Sequence, residues 1–213
     1  MRVVVFGAHG TLGSRIVDEL SRRGHTVRPV VRPGRRAARG SARIGTVLAD
    51  VTDADDVAAA VVGADAVVSA IGPGPGEDFS VLHAAARGLL EGLRRAGVRR
   101  LVVVGGAGSL EVSPGVELSE TSTYPEAWKP VADAHRTALA IYRAEPDLEW
   151  TVVSPAARIA PGARTGHYRA GGDQLLVDAK GESRISAEDY AVAVADEIEI
   201  PRHIRRRFTV AAV

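Results

Sequence analysis

Two short β-branched apolar runs, Arg2 to Phe6 and Thr26 to Val31, flank a segment whose apolar residues recur at Leu12, Ile16, Val17 and Leu20. The runs read as buried strands, and the three-four spacing reads as a helix that stops at Gly24. The alternation continues along the chain. Ile44 to Ala49 predicts a third strand ending at Asp50. Thr52 with Asp55 predicts a capping box opening a helix through Val62, closed by Gly63. Asp65 to Ile71 predicts a fourth strand, and Arg100 to Val104 a fifth. Between them, Val81, Leu82, Ala85, Leu89 and Leu93 mark a helix that ends at Gly97. Residues 111 to 129 are irregular and polar. Pro130 suits the first turn of a helix with Val131, Ala138, Leu139 and Tyr142 on its apolar face. Glu149 to Val153 predicts a sixth strand and Tyr168 to Val177 a hairpin. Ser186 with Asp189 predicts a second capping box, opening a helix from Ala187 to about Glu199, and Phe208 to Val213 a final strand. This order predicts an α/β fold, a doubly wound parallel sheet with helices on both faces, formed by residues 1–213 as one domain.

The turn between the first strand and the first helix reads Gly7-Ala8-His9-Gly10-Thr11-Leu12-Gly13. Strand, glycine turn, helix and strand make the βαβ unit of a Rossmann-type dinucleotide-binding fold. Gly7 permits the sharp turn, Gly10 lets the backbone approach a pyrophosphate, and Gly13 lets helix and strand pack closely. The phosphates would meet amide N–H groups and the positive end of the helix dipole. His9 is expected to point outward from this turn. No Gly-Lys-Ser/Thr follows, which excludes a Walker phosphate loop.

In an NAD-specific fold an acid closes the second strand and bonds the ribose 2′-hydroxyl. Here that position reads Val31-Arg32-Pro33-Gly34-Arg35-Arg36, and no acid occurs between Glu19 and Asp50. A guanidinium suits a 2′-phosphate, so NADP(H) is favoured over NAD(H), with Arg32 first and Arg35 and Arg36 as helpers. Asp50 and Val51, past the third strand, are placed to meet the adenine edge, although Asp50 reads equally as a plain loop acid. Ala70, Ile71 and Gly72 end the fourth strand at the rim where ligands of open α/β sheets sit. Ser109 and Tyr124 offer hydroxyls at the same rim. His135 falls on the apolar stripe of its helix and reads as a buried, hydrogen-bonded core residue. The remaining histidines show no metal-ligand spacing.

Composition adds mainly exclusions. A chain of 213 residues with a net charge of +1 has no global footprint for nucleic acid. No apolar run reaches the ~18 residues of a membrane span. Cysteine is absent, which removes disulfides, zinc-cysteine sites and thiol nucleophiles. The start reads as a folded strand rather than a signal peptide, so a cytoplasmic location is expected.

The motifs GAHGTLG, VRPGRR, VVGGAGSL, WTVVSPA and ISAEDYAVAVADEIE together resemble the atypical short-chain dehydrogenase/reductases. The closest similarity is to the NAD(P)H-binding group of NADH-flavin reductase type, related to biliverdin reductase B and the NmrA-like regulators. The resemblance implies a Rossmann fold with NADP(H), contacts from Gly7, Gly10, Gly13, Arg32, Asp50 and Ala70 to Gly72, and Ser154, Pro155 and Ala156 bordering the nicotinamide. The chain departs from the family's Tyr-x-x-x-Lys pair, because four residues separate Tyr124 from Lys129. On a continuous helix five residues turn about 500°, which puts the two side chains on different faces. Three functions follow as expectations: hydride transfer from NADPH to a flavin- or quinone-like acceptor, a non-catalytic NADP(H) sensor, and, least favoured, a sugar-nucleotide epimerase or dehydratase.

Overall fold

A computed structural model describes residues 1–34, 45–73 and 78–213. Five α-helices, two short 3-10 helices and twelve strands are present among them. The strands that form the main sheet are β1 (Arg2–Phe6), β2 (Thr26–Val31), β3 (Val47–Leu48), β4 (Ala66–Ser69), β5 (Arg100–Val104), β8 (Glu149–Ser154), β10 (Arg169–Gly171) and β12 (Arg206–Ala211). Their spatial order is β10-β12-β8-β5-β4-β1-β2-β3. Every neighbouring pair is parallel except β10 with β12, so this is the Rossmann-type α/β sheet that the alternation predicts.

Two apolar layers hold the helices on. Side chains alternate along each strand, so successive residues serve opposite faces. Val4 and Phe6 of β1 join the layer under α2 (Ala54–Val61), α3 (Val81–Ala96) and α4 (Lys129–Arg143). Val3 and Val5 join the layer under α1 (Thr11–Arg22) and α5 (Ala187–Glu199). Central strands β4 and β5 are buried along their whole length, which is why they read as continuous apolar runs.

Several local expectations need correction. The third strand is only Val47–Leu48, and Ile44 lies outside the described residues. The cap of α2 is Asp53, whose carboxylate accepts from the amides of Asp55 and Asp56. Thr52 instead donates its hydroxyl to Asp50 at 2.7 Å. At α5 the Ser186 hydroxyl does accept from Asp189 N–H at 2.9 Å. The reciprocal half of that box is not made, since Asp189 accepts from the amides of Thr165 and Gly166. Tyr168 to Val177 does not close on itself: β10 pairs antiparallel with β12. The irregular stretch after β5 holds a small hairpin of β6 (Glu111–Ser113) and β7 (Val116–Glu117). Finally, β9 (Arg158–Ala160) pairs with β11 (Arg184–Ser186), a parallel pair that the sequence pattern does not show.

Candidate functional site

The sheet order reverses beside β1, which has β2 on one side and β4 on the other. In open α/β sheets the ligand crevice lies outside the carboxyl ends of the strands at that switch. The glycine turn occupies it. Gly7 has φ +73°, a left-handed conformation that disfavours side chains, and a Cβ there would overlap the Ala70 carbonyl oxygen. A Cβ on Gly13 would overlap the carbonyl oxygen of Gly7. The Gly10 amide donates to that same oxygen at 2.9 Å, and Gly10 itself is exposed. Helix α1 therefore starts hard against the end of β1. Its first turn, Thr11 to Gly13, has neither a side-chain cap nor an acid. Orphan amides and a positive helix end are left to a ligand.

Ala8 is fully buried. His9 does not point outward as expected: its Nε2 is buried and finds no partner among the described residues. A bare glycine cradle, uncapped amides and an orphaned donor or acceptor suit the pyrophosphate of a dinucleotide.

The flanking residues are arranged around this turn. Arg32 directly follows β2 and is partly exposed, whereas Arg35 and Arg36 lie outside the described residues. The Asp50 carboxylate accepts from the Thr52 amide at 2.9 Å as well as from its hydroxyl, so it shapes its own loop. Val51 is buried, with its carbonyl against Gly88 of α3. Ala70 and Ile71 are partly exposed and Gly72 is exposed, at the rim beside Gly7.

A second glycine run, Gly105 to Gly108, continues β5 at the same rim. Because β5 and β8 are parallel neighbours, α4 must run back down between them, so its first turns sit at rim level. A Cβ on Gly105 would lie 3.2 Å from the Ser154 hydroxyl, and Ser154, Pro155 and Ala156 are buried behind it. A Cβ on Gly106 would lie 2.9 Å from the His135 ring, and one on Gly108 would lie 3.1 Å from the Tyr124 hydroxyl. Tyr124 is half-buried and makes an edge-on contact with the exposed Trp128, with ring centroids 6.4 Å apart.

Two rim expectations change. Ser109 is buried, and its hydroxyl accepts from Arg207 at 2.8 Å, while Arg207 is also bonded to Asp173 at 2.5 Å. It anchors the loop rather than standing open. His135 keeps an exposed edge and makes no hydrogen bond among the described residues, so it is not the satisfied core residue expected. Protein crowding without a charged partner holds its imidazole down at about 4. The glycines under Tyr124 and His135 were the sequence signal available for this second half of the site. Lys129 is paired with Glu126 at 2.7 Å, and burial, followed by the Asp133 charge, pushes the Tyr124 phenol above its ordinary value. A tyrosine made more acidic by a lysine is therefore absent here. Among the described residues no cluster of three or more metal-ligating side chains occurs, and no helix is long and apolar enough to cross a membrane.

Comparison with known proteins agrees with this geometry. A family model described as NAD(P)H-binding matches residues 7–201. The uncharacterized protein YwnB of Bacillus subtilis is 39% identical over 99% of this chain and 98% of its own length. A solved structure of a candidate exported protein from Burkholderia pseudomallei is 48% identical, covers 99% of each chain and superposes with a TM-score of 0.89. A candidate NADH-flavin reductase from Streptococcus pneumoniae is 33% identical over 100% of both chains, with a TM-score of 0.87.

Proposed function

This chain belongs to the NAD(P)H-binding family, and from that premise we propose that it passes hydride from NADPH to a flat, electron-poor acceptor of flavin or quinone type. The observation that carries the reading is the state of the rim tyrosine. With Lys129 held by Glu126, and its own ionisation pushed upward, Tyr124 remains a protonated phenol that can donate a hydrogen bond. Reduction of a flavin or quinone asks for no more, because the bound nicotinamide supplies the hydride and the protein supplies placement. The exposed Trp128 beside Tyr124 offers an aromatic edge to a planar acceptor. The similar Streptococcus pneumoniae protein, itself named as a candidate NADH-flavin reductase, supports the same class.

In this reading the turn from Gly7 to Gly13 receives the pyrophosphate on its uncapped amides. Arg32 faces the 2′-phosphate, Asp50 and Val51 border the adenine side, and Ala70 to Gly72 border the ribose. Ser154, Pro155 and Ala156 back the nicotinamide.

The test is NADPH oxidation against a panel of flavins, quinones and carbonyls, with cofactor affinity measured separately. Turnover with flavins or quinones is expected. Tight NADP(H) binding with no turnover on any of them would replace this reading with a sensor. Arg32→Ala should weaken NADPH roughly tenfold to a hundredfold, as a charged hydrogen bond is worth ~1.5–3 kcal/mol, and leave NADH nearly unchanged. Equal losses for both cofactors would remove Arg32 from the 2′-phosphate.

A further inference from the structure

The rim carries one polar side chain that nothing above employs. His135 lies on α4 three residues after Ala132, so the two share a helix face. That face lies on the glycine run past β5: Ala132 packs on Gly108, and the His135 ring lies flat enough on Gly106 to leave no room for a Cβ. Neither glycine offers a side chain that could bond the imidazole. The ring keeps an exposed edge, has no hydrogen-bond partner among the described residues, and stands on the same strip as the Tyr124 hydroxyl. Its open edge therefore leaves the bonding capacity of the ring available to a ligand at the rim.

We propose that His135 is a residue of the acceptor subsite and donates a ring N–H hydrogen bond to a carbonyl oxygen of the flavin or quinone. The proposal rests on the reductase reading above and names the second polar contact of that site, on the same glycine strip as Tyr124. Desolvation keeps the imidazole uncharged at neutral pH, so it acts as a donor and not as an acid. In the two-electron step, hydride leaves the nicotinamide carbon for the acceptor and the cofactor is left oxidised. The negative charge then developing on the acceptor carbonyl is stabilised by the His135 and Tyr124 donors and quenched by a proton from water. His135 keeps its own proton throughout.

The experiment uses the full chain with riboflavin and menadione as probes. His135→Phe keeps a flat ring on Gly106 and removes the N–H, while His135→Gln keeps a donor. Expected results are a rise of about five- to tenfold in acceptor KM for His135→Phe, unchanged NADPH affinity, and partial recovery in His135→Gln. A second readout does not depend on turnover. Nitrogen-15 spectra of the NADP+-saturated wild-type protein should show the His135 ring nitrogens shifting when menadione or riboflavin is added. An unchanged KM in His135→Phe, or ring nitrogens indifferent to both probes, overturns the proposal even where the wild type turns over. A ring-nitrogen shift in a protein that never oxidises NADPH would keep the subsite and sink the reductase reading.

Discussion

Glycines at adjacent positions of one motif have separable duties. Gly13 is a packing residue: any Cβ meets backbone of Gly7, which cannot move aside as a side-chain tip can. Gly10 is a surface residue whose Cβ would meet only that carbonyl, at 3.3 Å. The expectation is therefore split. Gly10→Ala should melt within a few degrees of the parent and, if the proposed pyrophosphate contact holds, bind the nicotinamide cofactor much more weakly, because the added methyl would stand in its approach. Gly13→Ala should lose the fold along with the cofactor. Thermal melts paired with cofactor titrations check this, and an unaltered NADP(H) affinity in Gly10→Ala would contradict it. His135 teaches a related point. Its place on the apolar stripe of α4 was legible in the sequence, but the stripe does not reveal what faces it. Opposite His135 is a bare glycine strip at the rim instead of a hydrogen-bonding core.

At the level of elements, a buried ion pair joins β5, β8 and α5. Arg100 is buried and bonds Glu197 at 2.8 Å, the Thr151 hydroxyl at 2.8 Å and the Glu149 carbonyl at 2.7 Å. Glu197 has a second partner in His203, at 2.8 Å. The two ends of the pair therefore differ. Glu197→Leu strands a buried guanidinium and should cost about 3–5 kcal/mol. Arg100→Met leaves Glu197 with His203 and should cost less, and the double variant should fall well short of the sum. Urea titrations of the three proteins settle it; equal single losses would mean that His203 contributes nothing. Elements with a long apolar period were readable in advance: β1, α1, α3 and β5 fall where their patterns put them. The three-residue strands β9, β10 and β11 were not, because so few residues carry no period and their partners lie far along the chain. The cap of α2 was misplaced by one residue because Thr52 and Asp53 can both cap, and Asp50 had already taken the Thr52 hydroxyl.

Across the whole molecule, α1 is tied to the C-terminal part of the chain by charge as well as by packing. Glu19 is buried and accepts from Arg164 at 2.8 Å, from Arg23 at 2.8 Å and from Arg22. Arg23 reaches on to Asp196 and Glu199, both at 2.7 Å. The Arg164 bond is the main reason the Glu19 carboxyl is held down at about 2. A carboxyl depressed in the folded state stabilises above the ordinary carboxylate range, and that stability drains away as pH falls from about 4.5 towards 2. The shift corresponds to about 3 kcal/mol at most, reduced to about 2 because Arg22 and Arg164 are open to solvent. Glu19→Gln should therefore be less stable at neutral pH and lose less on acidification. Denaturant midpoints at about pH 6 and about pH 2.5 measure both, and parallel pH curves for the two proteins would remove Glu19 from the acid response.

The apolar layer beneath α1 has a consequence for how the protein is made. Val3, Val5, Ile16 and Leu20 come from the first strand and helix, while Tyr190, Val194, Ile198 and Phe208 come from the last. The glycine turn and its helix thus precede the segments that cover them by most of the length of the described residues. Until those segments are made, the apolar face of α1 lacks its α5 and β12 partners, an exposure of the kind that favours aggregation. A nicotinamide cofactor is therefore poorly placed to template folding early, since the helix beside the glycine turn packs against segments made much later.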